Sequence, residues 1–222
     1  MEYCIEKRRR LMDSFVSSVL GKRIEKTIKN LEKNNFFACR ATSREELLAL
    51  VEQFVPAGAQ VGFGGSVSLS ESGVLEYLRG REDIELLDRE KDPSKAAEMM
   101  KKALTCDVYF ASSNAVTENG ELFNVDGRGS RVAPMIYGPE SVVLIVGANK
   151  IVPDIAAAEM RVKKIAAPAN TARLNCETPC RYTGECADCK SHARICCDFV
   201  TMKMQRVKDR IKVIITDESF GF

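Results

Sequence analysis

The run Val142-Val143-Leu144-Ile145-Val146 constrains the fold of this chain more than any other feature of the sequence. A strand with one solvated face would alternate apolar and polar residues, and this run contains no polar residue. Continuous apolar strands are typical of the centre of a parallel sheet that helices cover on both faces. We therefore expect an α/β fold with a mostly parallel sheet flanked by helices.

Apolar residues at spacings of three and four predict one long N-terminal helix over residues 5–33, which Gly21 is expected to bend or divide. Further strands are predicted over residues 36–40, 60–63, 84–87, 107–112 and 211–216, with helices between them. This order divides the chain into a helical extension (residues 1–35) and one α/β domain (residues 36–222), which includes a cysteine-rich loop at residues 174–198. A first helix of this length is expected to pack on the same chain or to form a homo-oligomer.

Composition excludes several classes of function. The formal net charge of +2 gives no strong field towards nucleic acid, and the basic run at residues 7–10 is expected on a solvated helix face. No apolar run approaches the roughly 20 residues that span a bilayer, and the N-terminus lacks an apolar signal core. We expect a cytoplasmic protein without nucleic-acid or membrane partners, whose nine cysteines lie in a reducing compartment.

The glycine-rich segment Gly62-Phe63-Gly64-Gly65-Ser66 follows one predicted strand and precedes a predicted helix. Glycine lets the backbone approach a ligand and adopt positive φ, and the N–H groups that begin a helix attract phosphate or carboxylate. The segment is not a P-loop, because no lysine follows Gly65, and Val67 replaces the third glycine of a dinucleotide fingerprint. It is either a tight turn with a serine N-cap or one wall of an anion site. An anion site here would use Gly64, Gly65, Ser66 and Ser68.

Two polar stretches follow other predicted strands, at residues 113–127 and 147–152. Because ligands of open α/β sheets bind at the carboxyl ends of the strands, we expect both stretches to share one pocket with the glycine turn. The alternative is that Asn119-Gly120 only turns a hairpin and that Lys150 is a solvated loop lysine. The candidate ligand-binding residues of the two stretches and the helices after them are Asn114, Thr117, Arg131, Asn149 and Lys150, with Arg161 approaching from the next helix.

The chain has a single histidine, His192, which lies in the cysteine-rich loop and so disfavours a Ser-His-Asp triad. If the protein is an enzyme, carboxylates must transfer the protons. Glu118 and Asp126 are the candidate catalytic residues, because they are predicted at the same sheet edge. Ser66 and Lys150 would then hold an anionic substrate.

In this order, the motifs resemble the lactate-utilisation (LUD-domain) family over nearly the whole chain. The matching residues are 62–69, Asn114-Ala115-Val116-Thr117 with Gly120, Asp126-Gly127, Arg131-Val132-Ala133, Tyr137-Gly138-Pro139, 146–152, 210–215 and Gly221-Phe222. One departure is Ser130, which stands where the family's Gly-Asn-Arg motif has asparagine. A further expected departure is that of a stand-alone domain with its own cysteine-rich segment.

The resemblance implies a fold of the sugar-isomerase/CoA-transferase type, whose members bind phosphosugars, CoA thioesters or folates near the glycine-rich turn. It also implies a role in small organic acid metabolism, of the lactate type, with iron–sulfur redox proteins as partners and an anionic small molecule as ligand. It does not identify an organic cofactor. The alternative function is a metabolite-binding or redox-sensing module without catalysis of its own.

Six cysteines fall within residues 176–197, in the pattern Cys176-x3-Cys180-x5-Cys186-x2-Cys189-x6-Cys196-Cys197. In a reducing compartment such a cluster indicates a zinc or iron–sulfur site, although the spacing matches no standard ferredoxin motif. Free thiols or adventitious disulfides are the alternative, and His192 is an alternative ligand that could replace one thiolate. The resemblance selects Cys180, Cys186, Cys189 and Cys196 as the four metal ligands. The isolated Cys4, Cys39 and Cys106 are expected in the core or on a helix face.

Overall fold

The structure, a computed structural model, describes residues 2–222, with side chains described from residue 14 onward. Its strands are β1 (Phe37–Ala41), β2 (Gln60–Phe63), β3 (Glu85–Leu86), β4 (Val108–Ala111), β5 (Ala115–Thr117), β6 (Leu122–Asp126), β7 (Ser141–Gly147), β8 (Ile151–Val152), β9 (Asp198–Met202) and β10 (Ile211–Thr216). Six of them form a parallel sheet in the order β1-β10-β7-β4-β2-β3. The prediction of an α/β fold with a mostly parallel sheet is confirmed.

The predicted central strand is β7, which lies between β10 and β4. All five residues of its apolar run are fully buried. Leu144 faces a core that includes Leu31 of the first helix, and Ile145 faces a second core that includes Leu47. The lack of alternation therefore reflects burial of both faces of the strand, as expected.

The α-helices are α1 (Glu2–Lys33), α2 (Arg44–Phe54), α3 (Val67–Glu71), α4 (Val74–Arg79), α5 (Ala96–Lys102), α6 (Val132–Ile136), α7 (Ile155–Arg161), α8 (Ala167–Arg173) and α9 (Pro179–Thr183). A π-helical turn over Val162–Ala166 joins α7 to α8. Within the described residues, no helix is both long and apolar enough to cross a membrane.

The long N-terminal helix is present as α1, which continues through Gly21 without dividing into two helices. The helix stays continuous because Ile24 and Leu31 are fully buried against the sheet, and this packing outweighs the roughly 1 kcal/mol by which glycine disfavours a helix. The predictions for the basic run at residues 7–10 and for Cys4 concern side chains outside the described ones.

The helix predicted after the glycine turn forms as two short helices, α3 and α4. Gly73 separates them with a φ of +79°, a left-handed conformation that glycine adopts without strain. The helix predicted between the first two strands forms as α2, whose first turn is capped by Ser43 Oγ accepting from Glu46 N (3.2 Å). The Glu46 carboxylate accepts from Thr42 N (2.8 Å), which lies one residue earlier than the N–H bound in the usual capping box.

A second sheet has the order β8-β5-β6-β9 and was not expected from the sequence. The Asn119-Gly120 turn does join the antiparallel hairpin of β5 and β6, with Gly120 at a φ of +79°. This sheet lies beyond the carboxyl ends of β4 and β7, because β5 follows β4 and β8 follows β7 directly. It therefore forms one side of the sheet edge where the polar stretches meet.

Candidate functional site

A cleft of about 90 Å³ opens at the carboxyl ends of β2, β4 and β7. The glycine turn forms one side of it, and α8 and the C-terminal residues form others. The polar and charged residues that line it are Ser66, Ser68, Ser112, Ser113, Asn114, Arg131, Lys150, Asn170 and Arg173. The prediction of one composite pocket at this sheet edge is consistent with this geometry.

Lys150 is the buried cation of the cleft, with 4% of the residue exposed. Its Nζ donates to Ser68 Oγ (2.8 Å) and Ser112 Oγ (3.1 Å), and no carboxylate of the described residues forms an ion pair with it. Burial, and after it the positive charges of Arg161 and Arg131, lower the pKa of Lys150 to about 7, against the opposing effect of Glu71. The alternative of a solvated loop lysine does not fit this burial.

Arg161 fixes the turn that carries Lys150. From α7 its Nε donates to Asn149 O (3.1 Å) and its Nη1 donates to Asn114 O (2.8 Å). The guanidinium group thus joins the chain after β7 to the chain after β4, which are the two polar stretches predicted to meet. Arg161 is itself buried, so these two bonds hold the floor of the cleft rigidly.

The side chain of Arg131 lies along the cleft wall, and its guanidinium group donates to neutral acceptors only. Its Nη1 donates to Ser112 O and Asn124 Oδ1, both at 2.8 Å. Its Nη2 donates to Asn114 Oδ1 (2.9 Å) and Val125 O (3.0 Å). Since neutral oxygens satisfy these donors, the positive charge of Arg131 remains available to an anion nearby.

The glycines of the turn make room for side chains and do not adopt positive φ. A Cβ on Gly64 would lie 2.7 Å from Arg131 Cγ, and one on Gly65 would lie 2.5 Å from Arg89 Nη2. Ser66 occupies the N-cap position of α3, but its side chain makes no capping hydrogen bond. Its hydroxyl group is therefore not committed to the helix cap that the alternative interpretation required.

Two of the predicted site residues lie away from the cleft. Thr117 is buried in β5 and donates to Glu121 Oε2 (3.1 Å). The Glu118 carboxylate accepts from Lys26 Nζ and Arg23 Nε of α1, both at 2.8 Å. These two hydrogen bonds hold the pKa of Glu118 below its usual value. The structure thus binds Glu118 to the N-terminal helix and does not bring it to the residues that line the cleft.

Asp126 lies beside the cleft, and its carboxylate anchors the loop after β6. Oδ1 accepts from the backbone N–H groups of Gly127 (2.6 Å) and Arg128 (3.2 Å). Oδ2 accepts from those of Arg131 (2.9 Å) and Val132 (3.2 Å). These hydrogen bonds allow the Asp126 carboxylate to position Arg131. The direct role of Asp126 in proton transfer stays a prediction.

Asn149 binds the C-terminal segment, which the sequence reasoning had not placed at the site. Its Nδ2 donates to Gly221 O (3.0 Å), and its Oδ1 accepts from Phe220 N (3.2 Å). Ser68 Oγ donates to Phe220 O (3.2 Å). The sequence signal for this contact was Gly221-Phe222, which belongs to the LUD-like motifs but carries no chemistry of its own.

The cysteine-rich loop is held by Arg194. Its Nη1 donates to Cys189 O (2.5 Å), its Nε donates to Cys196 O (2.8 Å), and its Nη2 pairs with Asp188 (2.9 Å). The backbone N–H of Asp188 donates to Cys186 Sγ (3.4 Å). An amide that donates to a cysteine sulfur is a feature that tunes metal-bound thiolates.

Cys180 is buried beside two hydroxyl groups, those of Thr171 and Thr178, each 3.4 Å from its sulfur. Burial raises the pKa of Cys196, and the nearby Cys186, Cys189 and Cys180 raise it further, against the lowering effect of Arg194. Among the residues the structure describes, no three His, Cys, Asp or Glu side chains are arranged to hold a metal ion. Cys39 is half-buried and Cys106 is buried, as expected for isolated cysteines.

A parallel sheet covered on both faces, with a polar cleft at the carboxyl ends of its strands, defines an α/β protein of the open-sheet class. The LUD domain model matches residues 24–216, and the chain therefore belongs to the LUD-domain family, as its motifs predicted. The fold is similar to that of a DUF162 family protein from Deinococcus radiodurans, with a TM-score of 0.50 and 12% identity. That similarity covers 90% of this chain and 98% of the other. No curated protein matches the chain.

Proposed function

We propose that the cleft binds a small organic anion of the lactate type, with Lys150 as its charge partner. Membership of the LUD-domain family supports a function related to lactate utilisation. The observation that carries the proposal is the buried ammonium group of Lys150, which donates to two serine hydroxyl groups and forms no ion pair with a described carboxylate. A buried charge without a counter-charge is costly, and an anion in the cleft supplies the missing partner.

The pKa of Lys150 gives this site a proton to exchange. Because the pKa lies at about 7, the lysine is only partly protonated at neutral pH. A bound carboxylate favours the charged form, so binding takes up a proton. The Lys150 amine is also able to exchange a proton with a bound hydroxy acid, as the general acid or base of an enzyme does. A metabolite-binding module without catalysis would use the same binding step and stop there.

Titration calorimetry with L-lactate tests the binding step. We expect tighter binding at pH 6 than at pH 9, and proton uptake at pH 8 when buffers of different ionisation enthalpy are compared. Lys150→Met should weaken binding by about tenfold or more, because a desolvated charge pair is lost. Lys212 is the matched control, since its Nζ also donates to a serine hydroxyl (Ser141, 3.0 Å) but at the amino end of β10. Equal weakening by Lys212→Met, or no binding of lactate, pyruvate or glycolate by the wild type, would contradict the proposal.

We also propose that Cys180, Cys186, Cys189 and Cys196 hold zinc or an iron–sulfur cluster. Cys186, Cys189 and Cys180 each raise the pKa of Cys196, which supports the assignment because their sulfurs act on that of Cys196 through space. The amide that points at Cys186 and the two carbonyl groups held by Arg194 support it as well. An iron–sulfur cluster would supply one-electron transfer, whereas zinc would stabilise the loop.

Metal analysis of the anaerobically purified full chain tests this second assignment. We expect either iron with sulfide and visible absorption, or zinc in stoichiometric amount. Cys189→Ser should lose the metal, whereas Cys39→Ser, which changes a half-buried cysteine of β1, should retain it. A wild-type protein with neither metal, or equal metal content in the two variants, would overturn the assignment.

A further inference from the structure

A second cavity of about 630 Å³ adjoins the cleft, and five arginines are among the residues that line it. We call it the arginine basin. It shares Gly65, Val125, Arg131, Asn170 and Arg173 with the cleft, so the two spaces are continuous. The arginines of the basin that form no ion pair with a described residue are Arg89, Arg128, Arg131 and Arg173.

The basin has almost no negative charge to balance these arginines. Asp126 is the one carboxylate on its wall, and its oxygens are already bound to four backbone N–H groups. The whole chain has a net charge of only +2, so the positive charge is concentrated at this place and is not a general property of the surface. Like charges gathered in a cavity raise the local concentration of anions.

The arginines differ in what they offer to a ligand. Arg89 and Arg128 donate no side-chain hydrogen bond to any described residue, so their N–H groups are free to bind. Arg173 is braced by Asn170, whose Oδ1 accepts from its Nε (3.1 Å) and Nη2 (2.8 Å). Gly65 leaves the space in which the Arg89 guanidinium group lies against the glycine turn. Gly65 therefore borders both the basin, beside Arg89, and the cleft that contains Lys150.

We propose that the arginine basin binds a phosphate or pyrophosphate group of a small-molecule ligand. Guanidinium groups bind phosphate oxygens in pairs, and three such groups from different elements surround a phosphate better than a planar carboxylate. Residues 192–195 of the cysteine-rich loop form the opposite wall. The phosphate site does not depend on the proposed function of the cleft. Only the inference that the phosphate and the anion at Lys150 belong to one molecule rests on that function.

Calorimetry with inorganic pyrophosphate as the probe, at one fixed ionic strength, tests the basin. We expect the double substitution Arg89→Gln/Arg173→Gln to weaken binding by about tenfold or more, because two charge-assisted contacts are lost. The matched control is Arg44→Gln/Arg206→Gln, which removes the same charge from exposed positions that do not line the basin. The control should change the affinity by less than about twofold, as expected for distant screened charges.

Absence of pyrophosphate binding to the wild type, or equal weakening by the control pair, would overturn the phosphate site. The lactate titration separates this result from the proposed function. Loss of lactate binding in Lys150→Met with pyrophosphate binding retained supports both sites. Pyrophosphate binding by a wild type that binds no small carboxylate leaves the arginine basin standing and removes the function proposed for the cleft.

Discussion

The ammonium group of Lys150 lies 2.8 Å from the hydroxyl oxygen of Ser68, and this bond joins two elements that are distant in sequence. Ser68 belongs to α3, directly after the glycine turn, whereas Lys150 ends the short turn after β7. The bond joins two sides of the cleft at Lys150, a cation that forms no ion pair with a described carboxylate. Without a bound ligand, the charged form of Lys150 is therefore unfavourable in the folded protein.

The first prediction is that Lys150→Met stabilises the ligand-free protein near neutral pH. The folded-state pKa of about 7 lies below the roughly 10.4 of an unfolded lysine, so the unfolded chain binds more protons between these values. Wild-type stability should therefore rise with pH across this window, and the advantage of the variant should shrink. We expect a gain on the order of 2 kcal/mol below pH 7 in urea unfolding.

The exposed Lys203→Met is the control and should leave stability nearly unchanged at every pH. A stability gap between Lys150→Met and the wild type that is equal at pH 6.5 and pH 9.5 would mean that packing, and not charge, causes it. No gap at either pH would mean that the charge of Lys150 is solvated in the folded protein.

The apolar run of β7 was enough to predict the class of fold. The continuous apolar character of this run, its length and its β-branched residues are local properties of the sequence. Together they predict a strand that is buried on both faces, and β7 is buried in this way. The second sheet was not predicted, because β8 has two residues and β9 is a short, half-exposed strand at the end of the cysteine-rich loop. Strands this short depend on their neighbours for stability and leave little periodicity in the sequence.

The sequence predicted which segments meet at the site, but it did not predict the burial of Lys150 or the ion pairs of Glu118. The positions of Ser68, Asn114 and Lys150 follow from the rule that ligands bind at the carboxyl ends of strands, and these residues do line the cleft. Whether a loop lysine is solvated or buried depends on Ser112 and on the C-terminal residues, which are far away in sequence. For the same reason, the ion pairs that bind Glu118 to α1 were not predicted.

The second prediction concerns Glu118→Gln, which removes the charge that holds α1 to the hairpin. The pKa of Glu118 is lowered by Lys26 and Arg23, so its contribution to stability is present above the unfolded pKa and lost as pH falls through the folded one. We expect a loss of about 1 kcal/mol at neutral pH, or a Tm lower by about 2–4 °C. High salt should reduce the difference.

Thermal unfolding at pH 7 and at pH 3 checks this prediction, since the two proteins should converge in acid. Lactate affinity should not change in Glu118→Gln. Weaker lactate binding at unchanged stability would instead return Glu118 to the catalytic or binding role that its sequence position indicated.

The third prediction is that Asp126→Asn loosens the loop after β6. The amide group can accept hydrogen bonds at one oxygen only, so about two of the four backbone N–H groups lose their acceptor, each at a cost of about 1 kcal/mol. Hydrogen exchange at residues 127–132 should become faster, and lactate binding should weaken as Arg131 becomes mobile. Loss of turnover on an identified substrate without faster exchange would indicate a proton-transfer role for Asp126.

The fourth prediction is that Gly221→Ala opens the cleft over Lys150. Gly221 has a φ of +59°, and a Cβ there would lie 2.7 Å from Ser68 Oγ and 3.4 Å from Lys150 Nζ. The new methyl group must displace the C-terminal residues, which lets water reach Lys150 and raises its pKa towards the ordinary value. We expect the pH at which Lys150 becomes reactive to acylation, followed by mass spectrometry, to rise clearly above 7.

Gly184→Ala provides the matched control, because Gly184 has a similar φ of +73° but no atom within 4 Å of its Cβ position. Both variants carry the same backbone strain of about 1 kcal/mol, and only Gly221→Ala adds crowding at the cleft. A higher pKa of Lys150 in Gly221→Ala alone would show that the C-terminal residues keep this lysine buried. An equal reactivity profile in both variants would mean that Lys150 is buried by Ser68, Ser112 and the arginines without help from the C-terminal residues.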